Sequence, residues 1–195
     1  ERGIFGFLEY FKYSQLSTSL NFLYWSRYLT AILGSLAVII VYILGKKLFS
    51  KPVGLLAAFL LAVNYRHLVG SVFTLADTPA SFFALLSVLL SFNLIKSKSM
   101  SAYIWAGLGL ALAFSVKYYI YVLPAFLLCH LLNVFYDKKK NFVEKIFSIL
   151  ISRNLFLALI TCSITLFVIN ASVFFDFHSF YEEYKYDSAR FGVAS

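Results

Sequence analysis

Acidic side chains are scarce in this sequence: 9 Asp and Glu stand against 17 Lys and Arg among 195 residues, and charged residues of both signs make up 13%. So little charge excludes an ordinary soluble domain, in which about a quarter of the residues are charged. Cysteine is nearly absent as well. Cys129 and Cys162 both lie inside apolar runs, where a small buried hydrophobe is expected rather than a metal or redox centre. No metal-ligand spacing and no serine-nucleophile elbow occurs. Inverted repeats of the transporter kind and low-complexity linkers are also missing. Gly107-Leu108-Gly109 is embedded in an apolar run and reads as close helix packing, not as a dinucleotide loop. The first residue is Glu and no basic stretch leads into a short apolar core with a cleavage site, so the expectation is a chain cut at both ends and without a signal peptide.

What the sequence has in excess is apolar surface: 61% hydrophobic residues and a mean hydropathy of +0.81. Many Tyr and Trp lie near the ends of apolar runs, as in an interfacial belt. Five stretches approach the roughly 20 residues needed to cross a hydrocarbon core about 30 Å thick. They are Tyr28 to Gly45, Pro52 to Tyr65, Asp77 to Ile95, Ala102 to Tyr136 and Leu155 to Phe175. The second needs to extend to about Gly70 to span comfortably. The fourth is too long for one crossing, and Lys117 divides it. An all-α, polytopic transmembrane helical bundle with six crossings follows. The expected layout is an outward juxtamembrane segment over 1–27, a membrane domain over 28–175 and an outward loop over 176–195.

Charge gives the orientation. The links Lys46 to Lys51, Lys96 to Ser101 and Asp137 to Arg153 carry ten basic residues against two acidic ones, which is the whole net charge of +8. The opposite side carries seven of each sign. Because positively charged loops stay in the cytoplasm, these three links are expected there and the remainder outside. An excess of charge confined to one side of a membrane is a topological signal, and no basic platform interleaved with aromatics appears, so nucleic acid is not an expected partner. Within the longest link, Phe142 to Ile151 is amphipathic and reads as a short interfacial helix.

Ionisable groups near membrane depth carry the functional reading, because each costs several kcal/mol unless paired or wetted. Asp77, in Leu75-Ala76-Asp77-Thr78-Pro79, stands where an ordinary helix start would place an acid and a proline. The same position suits a base or an acceptor for a substrate hydroxyl. Lys117 reads either as a snorkelling lysine at an outward turn or as a functional cation. Counted from their shared link, Asp77 and Lys117 reach similar depths, roughly 27 and 23 Å at about 1.5 Å per residue. Arg66 and His67 fall in an outward hairpin, Asn64 to His67, and Arg27 just precedes the first apolar run. Together with the final loop Phe175 to Phe180 they make an outward face suited to an anionic lipid headgroup. There a departing phosphate needs fixed positive charge and an acceptor hydroxyl needs a base.

The order of motifs now has a match. Arg27-Tyr-Leu-Thr-Ala-Ile-Leu-Gly34, Tyr42-Ile-Leu-Gly-Lys-Lys-Leu-Phe49, Gly54-Leu-Leu-Ala-Ala58, Ser71 to Phe83 with its Ala-Asp-Thr-Pro core, and Ala106 to Ala113 leading to Lys117-Tyr118 resemble the multi-pass GT-C glycosyltransferases. The nearest group is that of the dolichyl-phosphate-mannose protein mannosyltransferases and the aminoarabinose transferases, glycosyltransferase family 39. The resemblance is good over residues 27 to 130 and looser elsewhere. It implies an inverting transferase that takes a sugar from a polyprenyl-phosphate donor on the non-cytoplasmic face and passes it to a hydroxyl of a lipid, glycan or protein. In such enzymes an Asp of the first outward loop deprotonates the acceptor while cations hold the lipid phosphate. Asp77 corresponds to the family's second outward acid and is the catalytic candidate. Lys117 corresponds to a lysine associated with donor phosphate, and Arg27 to a recurrent arginine; with Arg66 and His67 they are the substrate-binding candidates. Glu9 is the one acid in reach of the base's place, in surroundings unlike the family's, so the base is expected upstream of this sequence. No cofactor is expected, with room left for a divalent cation. The expected location is a prokaryotic plasma membrane in preference to the endoplasmic reticulum. A transporter or flippase for lipid-linked sugars and a non-catalytic assembly subunit are the competing readings.

Overall fold

A computed structural model of the chain describes residues 20–73, 75–97, 99–117, 121–136 and 141–190. Among them every regular element is helical. In hydrocarbon no water satisfies backbone N–H and C=O groups, so each segment must close its own hydrogen bonds, and a helix does so. The chain divides into two compact units, residues 1–89 and 90–195.

The first unit contains α1 (Leu20–Leu48), α2 (Lys51–Ala62), α3 (Tyr65–Val72) and most of α4 (Asp77–Phe92). Ser50 is extended and Pro52 lies in the first turn of α2, so the chain reverses sharply between Lys47 and Lys51. α1 and α2 then approach at backbone distance: a Cβ on Gly45 would lie 2.7 Å from Gly54 Cα, and one on Gly54 would lie 2.7 Å from Tyr42 O. Lipid tails are as apolar as Leu, so close van der Waals contact between small residues is what holds such a pair. α4 packs on α1 through Phe82, which is buried with Ala37, Ile40 and Leu44 and flanked by Leu33, Leu85 and Leu86.

The second unit contains a 3-10 turn (Asn93–Ile95), α5 (Met100–Lys117), α6 (Val122–Phe135), α7 (Phe142–Leu150), α8 (Arg153–Ile169), α9 (Ala171–Phe175) and α10 (Phe177–Arg190). α5 and α8 make its main contact. Gly107 of α5 sits directly on the Ala158 backbone of α8, which bears out the reading of Gly107-Leu108-Gly109 as a packing site. A polar cluster joins the remaining pieces. The Tyr103 hydroxyl lies 2.7 Å from His130 Nδ1 and 3.3 Å from Asn133 Oδ1, while Asn133 Nδ2 donates to Leu94 O and, at 3.1 Å, to Ser97 O.

Three stretches, Leu23–Leu48, Asp77–Ile95 and Phe142–Ile169, are long and apolar enough to cross a membrane, and Met100–Val116 and Val122–Phe135 are shorter apolar helices. The outer faces agree: Ile32, Leu36 and Ile39 on α1 and Leu55, Leu56, Phe59 and Leu60 on α2 are exposed. The break expected at Lys117 is present, with α5 ending there and α6 beginning at Val122.

Three details differ from the sequence reading. The second crossing is a bent pair, α2 and α3 meeting at 58°. Asn64 causes the break: it is extended, and its side chain accepts from His67 N at 3.0 Å to cap a new helix. Arg66 and His67 therefore stand on a helix and not in a hairpin loop. The last crossing stops at Ile169, where Asn170 turns its Nδ2 to Ser115 Oγ at 3.0 Å. Finally, the segment expected as a loop after Phe175 carries helix α10, capped by Asp176, whose Oδ1 accepts from Ser179 N at 3.2 Å.

Candidate functional site

In the first unit α3 folds back on α1, and small residues let it come close. Gly34 of α1 lies against the Ser71 side chain, with 3.4 Å between its would-be Cβ and Thr78 Cγ2, so any larger residue would push α3 away. Two hydrogen bonds fix the contact. His67 Nε2 donates to Gly34 O at 3.1 Å, and Thr30 Oγ1 reaches Ser71 O at 3.2 Å. Because a carbonyl only accepts, the proton of His67 in this contact is on Nε2.

The angle between α3 and the start of α4 opens a groove of about 510 Å³, within the usual range of about 300 to 1,000 Å³ for ligand pockets. Tyr65, Arg66 and His67 of α3 and Asp77, Thr78 and Ser81 of α4 supply its polar atoms, and Ala37, Leu61, Val69 and Leu85 its apolar floor. Arg66, Asp77 and Ser81 are exposed, His67 is half-buried, and Thr78 is buried. Asp77 opens α4, with Pro79 following in the first turn. A carboxylate there is favoured by the helix dipole, and a proline there costs no hydrogen bond, since the first N–H groups of a helix have no partner inside it. Chemically the groove offers one permanent cation, one carboxylate, three hydroxyls and an apolar wall. That set can hold a phosphate at one end, a sugar hydroxyl at the other and a lipid tail alongside.

Of the sequence candidates, Asp77, Arg66 and His67 thus share one groove. His67 also ties α3 to α1, a contact that no local pattern announces. Arg27 lies within α1 and is not among the lining residues. Lys117 ends α5 in the other unit, and its side chain lies outside the described residues, as do Glu9 and Tyr118. Tyr65, Thr78 and Ser81 were not expected; the signal available was their position one to four residues from Arg66 and Asp77. Among the described residues no three of His, Cys, Asp and Glu gather as metal ligands would.

No curated protein and no solved structure matches the chain. A family model does, over residues 5–179, far beyond the 27 to 130 of the motif resemblance, and its description is dolichyl-phosphate-mannose-protein mannosyltransferase. With most of its length matched, the chain belongs to the dolichyl-phosphate-mannose-protein mannosyltransferase family.

Proposed function

We propose that this protein is an inverting membrane glycosyltransferase of GT-C type. It takes a sugar from a polyprenyl-phosphate donor on the non-cytoplasmic face and delivers it to an acceptor hydroxyl of a lipid, glycan or protein. The observation that supports this most is the groove in which Arg66 and Asp77 stand together, in a chain of this family.

In the reaction, the acceptor oxygen attacks the anomeric carbon, the bond from that carbon to the phosphate oxygen breaks, and the polyprenyl phosphate leaves with the electron pair. Arg66 meets the leaving phosphate, whose charge grows as the bond breaks, and fixed positive charge lowers that barrier. Asp77 accepts a hydrogen bond from a reacting hydroxyl and orients it. Lys117, by the family resemblance alone, is the candidate cation for donor phosphate, and Arg27, within α1, is a further candidate for substrate binding. His67 holds α3 in place beside the donor. Proton removal from the acceptor falls to an acid outside the described residues. The charge balance puts the three lysine-rich links in the cytoplasm, and the location in this reading is a prokaryotic plasma membrane.

The test uses the full-length protein in proteoliposomes supplied with a polyprenyl-phosphate sugar. Asp77→Asn and Lys117→Ala should each reduce transfer without loss of folded protein. Unchanged turnover in both variants would remove the assignment. Movement of lipid-linked sugar across the bilayer without any transfer would favour the flippase reading instead.

A further inference from the structure

The apolar stretch Phe142–Ile169 is 28 residues long, about 42 Å as one helix at about 1.5 Å per residue, and the hydrocarbon core is only about 30 Å. The chain removes the excess by breaking. Ile151 leaves the helical region at φ −121° and ψ 69°, and Ser152 is extended, with its Oγ accepting from Leu155 N at 3.2 Å to start α8. α8 alone has 17 residues, about 26 Å, which is close to a full crossing. α7 is therefore left over at the membrane boundary.

The roll of α7 about its own axis is fixed from α6. Lys145 Nζ donates to Phe135 O at 3.1 Å, and Ile149 O accepts from the buried His130 Nε2 at 3.3 Å. These bonds turn the polar side of α7 toward the protein. Phe142, Val143, Ile146 and Phe147 point away from it and are between 46% and 70% exposed. A water-facing helix does the reverse, so the medium that α7 meets is apolar.

At the elbow between α7 and α8 opens a second groove, of about 390 Å³, lined by Ile151, Ser152, Arg153, Leu155, Phe156 and Leu159. Its one charged group is Arg153, and its walls are otherwise almost wholly apolar. A guanidinium at the mouth of an apolar trough matches one kind of molecule in a bilayer, a lipid whose phosphate bonds the planar fork while an acyl chain follows the wall. The link Asp137 to Arg153 has five basic residues against two acidic ones, which selects an anionic headgroup over a zwitterionic one.

We propose that α7 lies in the plane of the membrane and that the elbow groove binds an anionic phospholipid of that leaflet, with its phosphate on Arg153. The site is separate from the groove at Asp77 and does not depend on the transfer reaction.

The probe is a tryptophan at Phe147→Trp in the full-length protein, read against the parent, which has Trp25 and Trp105. The protein is reconstituted in phosphatidylcholine vesicles containing phosphatidylglycerol, with bromine on the chains of one lipid or of the other. Brominated phosphatidylglycerol should quench the new tryptophan with about a fivefold preference per mole, the effect of one basic residue near the surface. Arg153→Gln should lower that preference several-fold while phosphatidylcholine still quenches, and Arg153→Lys should keep most of it. Absence of quenching by both lipids would place α7 off the bilayer, under a second copy or another protein, and would overturn the proposal. A preference that Arg153→Gln leaves undiminished would overturn the binding site.

Discussion

The groove of residues 1–89 and the polar cluster of residues 90–195 contain similar chemistry in opposite states. In the groove, Arg66 and Asp77 are exposed. In the cluster, Tyr103 and His130 are 1% exposed and Asn133 is 9% exposed, and all three bond one another or a carbonyl. A buried polar group left without a partner costs about 1 to 3 kcal/mol, so a sealed cluster is tolerated only when its bonds are made, and it then acts as a fastener. Arg66 and Asp77, exposed near the starts of α3 and α4, border open space that a ligand can enter. Two of the three histidines mark the boundary. His130 joins α6 to α7 through Ile149 O, and His67 joins α3 to α1 through Gly34 O, but only His67 also borders a groove.

Variants can break this contrast, and the largest effect is expected in the open set. Asp77→Asn should lower the rate of sugar transfer about 100-fold through lost orientation of the reacting hydroxyl, with only the small drop in melting temperature that one charge at a helix start carries. Next is the sealed set: Asn133→Leu leaves the Leu94 and Ser97 carbonyls without their donor and should cost about 1 to 3 kcal/mol, read as a lower melting temperature, while the folded fraction keeps its turnover. Gly45→Leu should destabilise by a similar amount, about 1 to 3 kcal/mol, by forcing α1 and α2 apart. Arg66→Gln should lower kcat about tenfold with KM for the donor less affected, because the charge that Arg66 meets grows as the bond breaks.

The smallest effect concerns pH. Hydrogen bonds from the Ser179 side chain and backbone, aided by His178, hold the Asp176 carboxyl below its ordinary value. Since its folded-state value is depressed, the cap is fully present above the unfolded value of about 3.9 and is lost as pH falls through the lower folded one. Amide exchange in the first turn of α10 should accelerate in that acid window, and Asp176→Asn should remove the change.

Much of this architecture was legible because length and hydropathy act over whole helices. The division at Lys117 and the small-residue contact at Gly107 needed no knowledge of distant residues. Asn64 and Asn170 were harder. Asn170 lies where apolar sequence continues on both sides and Asn64 precedes Tyr65-Arg66-His67, but whether an asparagine caps, kinks or merely faces a neighbour depends on what it meets, here His67 N for Asn64 and Ser115 Oγ for Asn170. Asp176 caps a helix of mostly polar composition, and the signal available was the aromatic stripe Phe177, Phe180, Tyr181 and Tyr184 at helical spacing. At the site, Asp77 and Arg66 stood out as charges beside membrane spans. The tie from His67 to Gly34 O links residues 33 apart in sequence and has no local signature. The buried His130 and Asn133, one turn apart in an apolar run, were a signal of the sealed cluster that hydropathy alone passes over.

The account rests on an open groove at Tyr65 to Asp77 that faces the compartment opposite the lysine-rich links and takes the lipid phosphate. Single cysteines at Tyr65→Cys, on the rim and 78% exposed, and at Lys51→Cys, in the first link, test it in intact cells with a membrane-impermeant maleimide. Tyr65→Cys should label from outside, more slowly when polyprenyl phosphate is present, and Lys51→Cys only after permeabilisation. Labelling of both positions from the same side would contradict it.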